Sequence, residues 1–345
     1  MVSEGAFFLG NKTIVVRPME FGAPGPDEVL VRNMAVGVCG TDVHIFHGEP
    51  GSTDVNPPVV LGHEYSGIVE AVGESVDTVR IGDHVTIDPN IYCGRCTACR
   101  MGRKQNCPHM QGIGVSRDGG FARYCMVPQA QCIPLDPSLD FDIGAMTEPL
   151  ACALHGIDRA GIQPGQTVVV IGGGPIGLLM VQLARLSGAS CVVLSEPNAM
   201  RREIGLQVGA DAAIDPVLED LRARFTECSG RDGADVVIEC VGIPIAARQA
   251  FEVADRGATI LLFSVPKQDA TVPLPLFDLF SKELTVMGSF VNPDTHLRAV
   301  NLLNSGRLQI RPLLTHTYGL HGVDQAIAMQ MTDASIKVLV HPQED

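Results

Sequence analysis

At 345 residues, the chain is longer than one hydrophobic core usually supports, so its length predicts two domains. Hydrophobic residues make up 46% of it and charged residues 19%, a balance that excludes a disordered protein. The net charge of −14 would repel a phosphate backbone, so we expect no nucleic-acid partner.

The amino-terminal segment MVSEGAFFLGNKTIVV has neither a basic leader nor a long apolar stretch, so we expect a cytoplasmic protein. The most apolar segment, residues 168–183, is interrupted by glycines and a proline and is shorter than the ~20 residues of a membrane span. We therefore expect no membrane partner. In a reducing compartment, clustered cysteines are better interpreted as metal ligands than as disulfides.

The predicted secondary structure changes in character along the chain. From about Ile14 to Leu135, short β-rich runs are separated by glycine and proline, which is typical of an all-β domain. Between Thr167 and about Gly288, apolar strands such as TVVVI, CVVLS and DVVIEC alternate with helical stretches. That alternation predicts a parallel sheet covered by helices on both faces. A helical segment, HLRAVNLLNSG, and a strand, IKVLVHP, end the chain outside this pattern.

A thiol, an imidazole and a carboxylate stand at the ends of predicted strands in the β-rich part. Cys39 opens the run CGTDVH, and His63 and Glu64 lie in GHE. Such a mixed set of three protein ligands suits a catalytic zinc whose fourth position stays open for water or substrate. Glu148, in MTEPLACALHG, is a further carboxylate for the same metal, and the sequence does not decide between Glu64 and Glu148 as third ligand.

Four cysteines follow at short spacing in a loop that contains glycine and proline: Cys93, Cys96, Cys99 and Cys107. Thiolates spaced in this way can converge on one tetrahedral zinc with a closed shell, which holds a loop in shape and performs no chemistry. An iron–sulfur cluster and two disulfides are competing interpretations. A zinc ribbon that binds nucleic acid is another, and the acidic charge counts against it. We expect a structural zinc.

A glycine-rich turn follows the strand TVVVI and opens the helix IGLLMVQLARL; it consists of Gly172, Gly173, Gly174, Pro175, Ile176 and Gly177. In this context G-x-G-x-x-G predicts a dinucleotide whose pyrophosphate meets a helix amino terminus. The next strand, CVVLS, ends at Glu196, whose carboxylate would bind the adenine-ribose hydroxyls and repel a 2′-phosphate. We therefore expect NAD rather than NADP, with Arg201 and Arg202 as the residues that would argue for the phosphate.

Taken together, GVCGTDVHI, LGHEYSG, the four-cysteine loop, TEPL and VIGGGPIG resemble the zinc-dependent medium-chain dehydrogenase/reductase superfamily. The resemblance spans essentially the whole chain and is closest to the sorbitol (polyol) and threonine dehydrogenase branch. It implies an α/β protein of two domains. Residues 1–153 and 290–345 would form a GroES-like β-rich catalytic domain with both zinc sites, and residues 154–289 a Rossmann NAD-binding domain with a doubly wound parallel sheet.

The resemblance also implies roles for the metal ligands. Cys39 and His63 match the constant ligands of a catalytic zinc, and Glu64 matches the carboxylate that binds or exchanges onto it. Glu148 stands where simple alcohol dehydrogenases have a third cysteine, which points towards polyols or related substrates. With the structural site, the resemblance implies two zinc ions per subunit.

Further roles are implied for the proton and the cofactor. Thr41 and His44 resemble a proton relay from the metal-bound oxygen to the surface, and Asp42 would orient His63. Other residues match positions that approach the cofactor: Arg201, Phe263, Ser264, Val265 and Phe290. A homo-oligomer, either a tetramer or a dimer, is implied as well, with LTVMGSF as a candidate interface strand.

The expected function is zinc- and NAD-dependent oxidation of a secondary alcohol, a polyol or sugar alcohol, to the ketone by hydride transfer. An L-threonine 3-dehydrogenase is the alternative among enzymes, because GVCGTDVHI and GHEY fit that group equally well. Val291 and Asn292 stand where sorbitol enzymes usually have Arg and Tyr, which counts against sorbitol-type binding. Outside enzymes, the alternative is a non-catalytic, zinc-stabilised nucleotide-binding sensor.

Overall fold

The computed structural model describes residues 1–345, which divide into two compact units. The first unit comprises Met1–Ala151 and Val291–Asp345, and the second comprises Cys152–Phe290. The expected boundaries, 153/154 and 289/290, lie one or two residues away. The first crossing falls inside one continuous helix, Thr147–Ala160, so no loop marks it in the sequence.

The amino-terminal part of the first unit is built mainly of strands. These are β1 (Val2–Phe8), β2 (Ile14–Glu20), β3 (Glu28–Gly37), β4 (Val59–Val60), β5 (Glu64–Val72), β6 (His84–Ile87), β7 (Asn90–Ile91), β8 (Gln111–Gly112), β9 (Tyr124–Pro128) and β10 (Cys132–Pro134). Its helices are α1 (Gly40–Phe46), α2 (Thr97–Arg100), α3 (Phe141–Ala145) and the start of α4 (Thr147–Ala160).

Strands and helices alternate in the second unit: β11 (Thr167–Ile171), α5 (Pro175–Leu186), β12 (Cys191–Ser195), α6 (Ala199–Gln207), β13 (Ala212–Ile214), α7 (Leu221–Ser229), β14 (Ala234–Glu239), α8 (Pro244–Val253), β15 (Ala254–Leu262), α9 (Leu276–Ser281) and β16 (Thr285–Gly288). The chain then returns to the first unit with α10 (His296–Asn304), β17 (Leu314–Gly319), α11 (Val323–Gln330) and β18 (Lys337–His341).

The first unit contains one large sheet with strand order β10-β6-β5-β3-β18-β17, in which β9 also pairs with β3. Smaller sheets, β2-β1-β4 and β7-β8, accompany it. Its core is made of apolar side chains from several of these strands, among them Val31, Val36, Tyr65 and Val85, all fully buried. The final strand, β18, therefore belongs to the first unit, as the resemblance implied.

Register in this sheet brings distant parts of the chain together. Gly37 at the end of β3 pairs with Glu64 at the start of β5, so the residues just beyond each strand are neighbours. On the other side of β3, Leu339 pairs with Gly37 in antiparallel fashion, which directs the start of β18 towards the same place. A side chain at Gly37 would displace the Glu64 carboxylate, because a Cβ there would lie 2.3 Å from Glu64 Oε2.

In the second unit a six-stranded, wholly parallel sheet has the order β13-β12-β11-β14-β15-β16. All five residues of β11, TVVVI, are buried, as expected for a strand covered on both faces. The order is that of a Rossmann sheet, in which the dinucleotide binds at the carboxyl ends of the strands where the order reverses. The expected fold class is confirmed. None of the helices combines the length and the apolar character that a membrane crossing needs.

Candidate catalytic, metal and cofactor sites

One candidate metal site combines Cys39, His63 and Glu64, whose ligand atoms all lie within 4.8 Å of one another. Cys39 follows β3 and is the residue that caps α1, while His63 and Glu64 stand at the start of β5. The pairing of β3 with β5 is what brings the thiol to the imidazole and the carboxylate. Three donors of these types suit zinc, and three protein ligands leave a fourth tetrahedral position for a substrate.

Asp42 holds both ligand-bearing segments of this site. Its side chain is fully buried and accepts hydrogen bonds from the backbone N–H of Cys39 at 2.9 Å and of Gly62 at 3.3 Å. Its Oδ1 also lies 3.6 Å from His63 Nδ1. The two atoms are too far apart for a hydrogen bond, but the carboxylate faces this ring nitrogen, on the side from which it would orient the imidazole of a metal ligand.

The charges and the burial of Cys39, His63 and Glu64 favour the binding of a cation. Burial raises the pKa of the Cys39 thiol above its usual value, and the Glu64 carboxylate raises it further. Burial alone would lower the pKa of His63, but Asp42 and Cys39 raise it well above its ordinary range. A divalent cation would stabilise the thiolate and take the imidazole as a neutral ligand, so the donor set fits zinc.

Lys337 is a member of this site that the sequence analysis did not identify. Its ammonium donates to Glu64 Oε2 at 2.5 Å and to the carbonyl of Val38 at 3.0 Å, and both charged side chains are buried. Burial alone would lower the pKa of Lys337, whereas the Glu64 charge raises it above its usual value. The available signal was a lysine at the start of the otherwise apolar strand IKVLV.

Glu148, in the first turn of α4, is buried, but it is not among the ligand atoms that lie within 4.8 Å of one another. Its charge nevertheless contributes to raising the pKa of Lys337. Of the two carboxylates that the sequence left open as third ligand, Glu64 is the one that offers a ligand atom within 4.8 Å of those of Cys39 and His63.

Thr41 and His44 both lie on α1, directly after Cys39. His44 Nδ1 forms a short hydrogen bond with Glu49 Oε2, and both side chains are partly exposed. A partly exposed imidazole that faces a carboxylate is a suitable end for a proton path. Glu49 was not identified from the sequence, because nothing in its spacing connects it to His44.

A second candidate metal site joins Cys93, Cys96, Cys99 and Cys107, whose sulfur atoms lie within 4.8 Å of one another. All four are free thiols, and the Sγ atoms of Cys96 and Cys107 are 3.8 Å apart, so no disulfide joins them. Cys93 Sγ accepts from the N–H of Cys96 at 3.4 Å, and Cys96 Sγ accepts from that of Cys99 at 3.5 Å. Four sulfur atoms this close to one another fit a closed tetrahedral zinc site.

The glycine-rich turn between β11 and α5 fits a dinucleotide. Gly174 caps α5, no side chain bonds the free amides there, and a Cβ on Gly174 would meet no atom within 4 Å. Gly177 must be a glycine, since a Cβ there would lie 1.8 Å from the carbonyl oxygen of Gly172. Pro175 and Ile176 begin the helix between these glycines. Uncapped helix amides beside open space are the usual setting for a pyrophosphate.

Glu196 lies at the carboxyl end of β12, beside the glycine turn. Its carboxylate accepts from the backbone N–H of Gly173 at 2.5 Å and of Asn198 at 2.8 Å, and its side chain is buried. Arg202 is held by Asp215 at 3.1 Å and donates to the carbonyl of Glu196. Arg201 lies in the first turn of α6.

Residues expected near the nicotinamide lie on one edge of the same sheet. Phe263, Ser264 and Val265 follow β15, and Phe290 is the last residue of the second unit. Ser264 contacts a residue that the sequence analysis did not single out: its hydroxyl makes a short hydrogen bond to Glu239 Oε2 at the end of β14.

Comparison with known families and proteins shows which family the chain belongs to. The family model described as an alcohol dehydrogenase GroES-like domain matches residues 25–137, and the model described as a zinc-binding dehydrogenase matches residues 175–305. The sorbitol dehydrogenase of Bacillus subtilis is 33% identical over 320 residues, which cover 92% of this chain and 90% of that protein. This chain belongs to the zinc-dependent medium-chain dehydrogenases.

Two further relatives of this dehydrogenase show its branch. The L-threonine 3-dehydrogenase of Pyrococcus horikoshii is 35% identical over 321 residues, covering 92% of this chain and 91% of the relative. A solved structure from Sinorhizobium meliloti, described as a zinc-binding dehydrogenase bound to NADP, is 41% identical with a TM-score of 0.95. It matches 99% of this chain and 100% of its own.

Membership of this family confirms several of the predictions made from the sequence. Membership of the sorbitol and threonine dehydrogenase branch is confirmed, and the chain is an enzyme that acts on an alcohol, with zinc and a nicotinamide cofactor. The dehydrogenase is therefore not to be interpreted as a non-catalytic sensor. The substrate and the choice between NAD and NADP are argued below from the residues of this chain.

Proposed function

We propose that this dehydrogenase oxidises a secondary hydroxyl of a polyol or sugar alcohol to the ketone and reduces NAD+. The observation that carries this proposal is the buried cluster of Cys39, His63 and Glu64, which supplies three ligand atoms within 4.8 Å. These residues would hold a zinc ion that would lower the pKa of a bound hydroxyl, and a bound nicotinamide would accept the hydride. In this proposal Glu64 is the third protein ligand, and Glu148 is a carboxylate that acts beside it.

The proton released from the substrate hydroxyl must be carried to solvent by side chains of the protein. Thr41 and His44 lie on the helix that Cys39 begins, and we assign the relay to these two side chains. The hydrogen bond between His44 and Glu49 supports the assignment, because a carboxylate stabilises the imidazolium that receives the proton. His44 then returns the proton to solvent.

The choice of a polyol over L-threonine is supported by the charges at the cluster. An amino acid substrate needs a cation for its carboxylate and an anion for its ammonium. Lys337, the cation at this site, is buried and already paired with Glu64. A neutral polyol needs no such counter-charges. Relatives named for either substrate are similar to this chain, so L-threonine is the second candidate.

NAD is supported over NADP by two contacts in the second unit. The buried Glu196 carboxylate is fixed at the end of β12 by two backbone amides and would repel a 2′-phosphate. Arg202, a candidate for binding that phosphate, is instead engaged by Asp215. The Sinorhizobium meliloti relative, which is bound to NADP, makes a direct measurement necessary.

A substrate panel tests the reaction. Formation of NADH is followed with sugar alcohols, L-threonine and simple secondary alcohols, and we expect kcat/KM to be at least about tenfold higher for the best polyol than for L-threonine. The Cys39→Ser variant should lose turnover but still bind NADH. A higher kcat/KM for L-threonine would contradict the proposed substrate class.

The cofactor is tested separately by the ratio of kcat/KM for NAD+ and NADP+. We expect NAD+ to be preferred by more than about tenfold, and Glu196→Gln to narrow the preference because it removes the repelling charge. Arg202→Gln is the matched control and should leave the ratio within a factor of about two. A parent enzyme that prefers NADP+ would contradict the assignment.

A homo-oligomer, a dimer or a tetramer, is part of the proposal. β16 is an edge strand, and an unpaired edge can pair with the same strand of a second copy across a two-fold axis. Apolar side chains on the neighbouring α9 support this: Phe277 is 77% exposed and Phe280 is 80% exposed.

A further inference from the structure

Glu239 is a buried carboxylate that the proposed reaction does not use. It ends β14, a central strand of the parallel sheet, and is 2% exposed. Its Oε1 accepts from the backbone N–H of Val241 at 2.6 Å and of Gly242 at 2.8 Å, and its Oε2 is bonded to the Ser264 hydroxyl. Its partners are thus two amides and a hydroxyl, with no cationic side chain among them.

The position of Glu239 in the sheet relates it to one half of the cofactor. In a sheet of this order the glycine turn after β11 receives the pyrophosphate, and the two halves of the dinucleotide extend to opposite sides of it. Glu196, at the end of β12, stands on the adenosine side. Glu239 ends β14, and Ser264 follows β15. Both strands lie on the other side of the glycine turn, which receives the nicotinamide.

The nicotinamide ring is cationic in NAD+ and neutral in NADH, whereas the rest of the cofactor has the same charge in both. A buried negative charge on the nicotinamide side therefore stabilises the oxidised form selectively, and burial limits screening by salt. Burial raises the pKa of the neighbouring Cys240 thiol well above its usual value, and the Glu239 carboxylate adds to that rise.

We propose that the carboxylate of Glu239, which has no cationic partner, lowers the Kd of NAD+ relative to that of NADH, so that the oxidised cofactor competes better with the reduced one for the second unit. Glu239 also joins the loops after β14 and β15 through Ser264, but that brace acts on both cofactor forms alike. This inference rests on the proposed function, because it requires a nicotinamide dinucleotide on the second unit.

The test compares the Kd of NADH, from its fluorescence, with the Kd of NAD+, from competition against NADH, without any substrate. Glu239→Gln keeps the size and hydrogen bonds of the side chain but removes its charge, and we expect it to raise the ratio Kd(NAD+)/Kd(NADH) by about fivefold. Glu239→Ser, a second neutral variant, should raise the ratio in the same direction. Thermal unfolding of each variant checks that it is folded.

Two control variants distinguish the effect of the Glu239 charge from the effect of its hydrogen bond to Ser264. Ser264→Ala removes the brace and keeps the charge, so both Kd values should rise together and their ratio should stay within a factor of about two. Asp235→Asn removes a carboxylate from the amino end of β14, about 13 Å along the strand, and should also leave the ratio unchanged.

The outcomes are distinct. A ratio raised in both neutral variants and unchanged in both controls would support the inference. Equal changes in both Kd values in Glu239→Gln would overturn it and leave only a structural brace. If the parent protein binds NADPH more tightly than NADH, the proposed cofactor is wrong, and the same ratio measured with NADP+ and NADPH still decides the inference. If no nicotinamide dinucleotide binds, both fail.

Discussion

Buried charges at the candidate catalytic site depend on one another. Glu64 and Lys337 are 273 residues apart in the chain, and their side chains meet at 2.5 Å. Removing one partner of a buried pair leaves an uncompensated charge, which costs more than the pair itself contributes. The carboxylate of Glu64 in turn raises the pKa of Lys337 above its usual value, although burial alone would lower it.

A variant of Lys337 tests this dependence. We expect Lys337→Met to lower the free energy of unfolding by ~3 kcal/mol, because Glu64 then lacks a buried counter-charge. Urea unfolding followed by circular dichroism measures the change, and a Cys39→Ser background removes the catalytic metal from the comparison. The double variant Glu64→Gln/Lys337→Met should recover most of the loss; no recovery would show that Lys337 stabilises the fold in another way.

His296 provides a second test at the residue scale, through pH. It is completely buried on α10, and burial lowers its pKa to about 3. An unfolded histidine titrates at about 6.5, so between these values the unfolded state binds a proton that the folded state does not. Stability should therefore fall as the pH falls from about 6.5 towards 3, by up to about 1.4 kcal/mol per pH unit.

The measurement is the free energy of unfolding against pH, in the parent and in His296→Gln. The variant should show a shallower acid slope by about one proton. His109→Gln, which alters an exposed histidine, is the control and should keep the slope of the parent. Parallel curves for the parent and His296→Gln would mean that His296 is protonated in the folded protein.

At the scale of elements, the cysteines of the four-cysteine loop differ in the pKa of their thiols. Backbone N–H groups of Arg95 and Cys96 lower the pKa of Cys93 to about 6, so this sulfur is a thiolate near neutral pH. Burial raises the pKa of Cys99 to about 12, so its proton has to leave when a metal binds. The loop therefore offers Cys93 as a ready ligand, whereas Cys99 becomes one only when a metal displaces its proton.

Loss of one ligand should empty this loop but not the catalytic site. We expect Cys99→Ser to contain one zinc per chain instead of two, measured by elemental analysis, and to unfold at a lower temperature. Cys228→Ser replaces an exposed cysteine on α7 and should keep both metals. Full zinc content in Cys99→Ser would refute a structural site at these cysteines.

For the molecule as a whole, the proposed oligomer can be tested at its exposed apolar surface. Phe277→Ser with Phe280→Ser removes exposed apolar surface next to the edge strand β16, so we expect a smaller oligomer by light scattering after size-exclusion chromatography. Leu218→Ser changes a side chain that is 82% exposed elsewhere on the second unit, and it should leave the mass unchanged. A monomeric parent protein would contradict the proposed oligomer.

Much of the fold was predictable, because its patterns are local. Apolar strands alternating with helices predicted the parallel sheet, although β13 and α7 were not identified: β13 has only three residues, and α7 has few buried ones. It was harder to predict from the sequence that the two segments of the first unit, residues 1–151 and 291–345, fold together. Only the resemblance, and not the periodicity of IKVLVHP, indicated that β18 joins the amino-terminal strands.

The sequence by itself determined the sites whose ligands lie close along the chain. The four cysteines and the glycine turn need only local backbone geometry, so spacing was enough to identify them. Tertiary structure decided what depends on strand register: that Glu64 lies with Cys39 and His63, and that Lys337 faces Glu64. A buried charge is stable only where a partner is brought to it, and that partner comes from any distance along the chain.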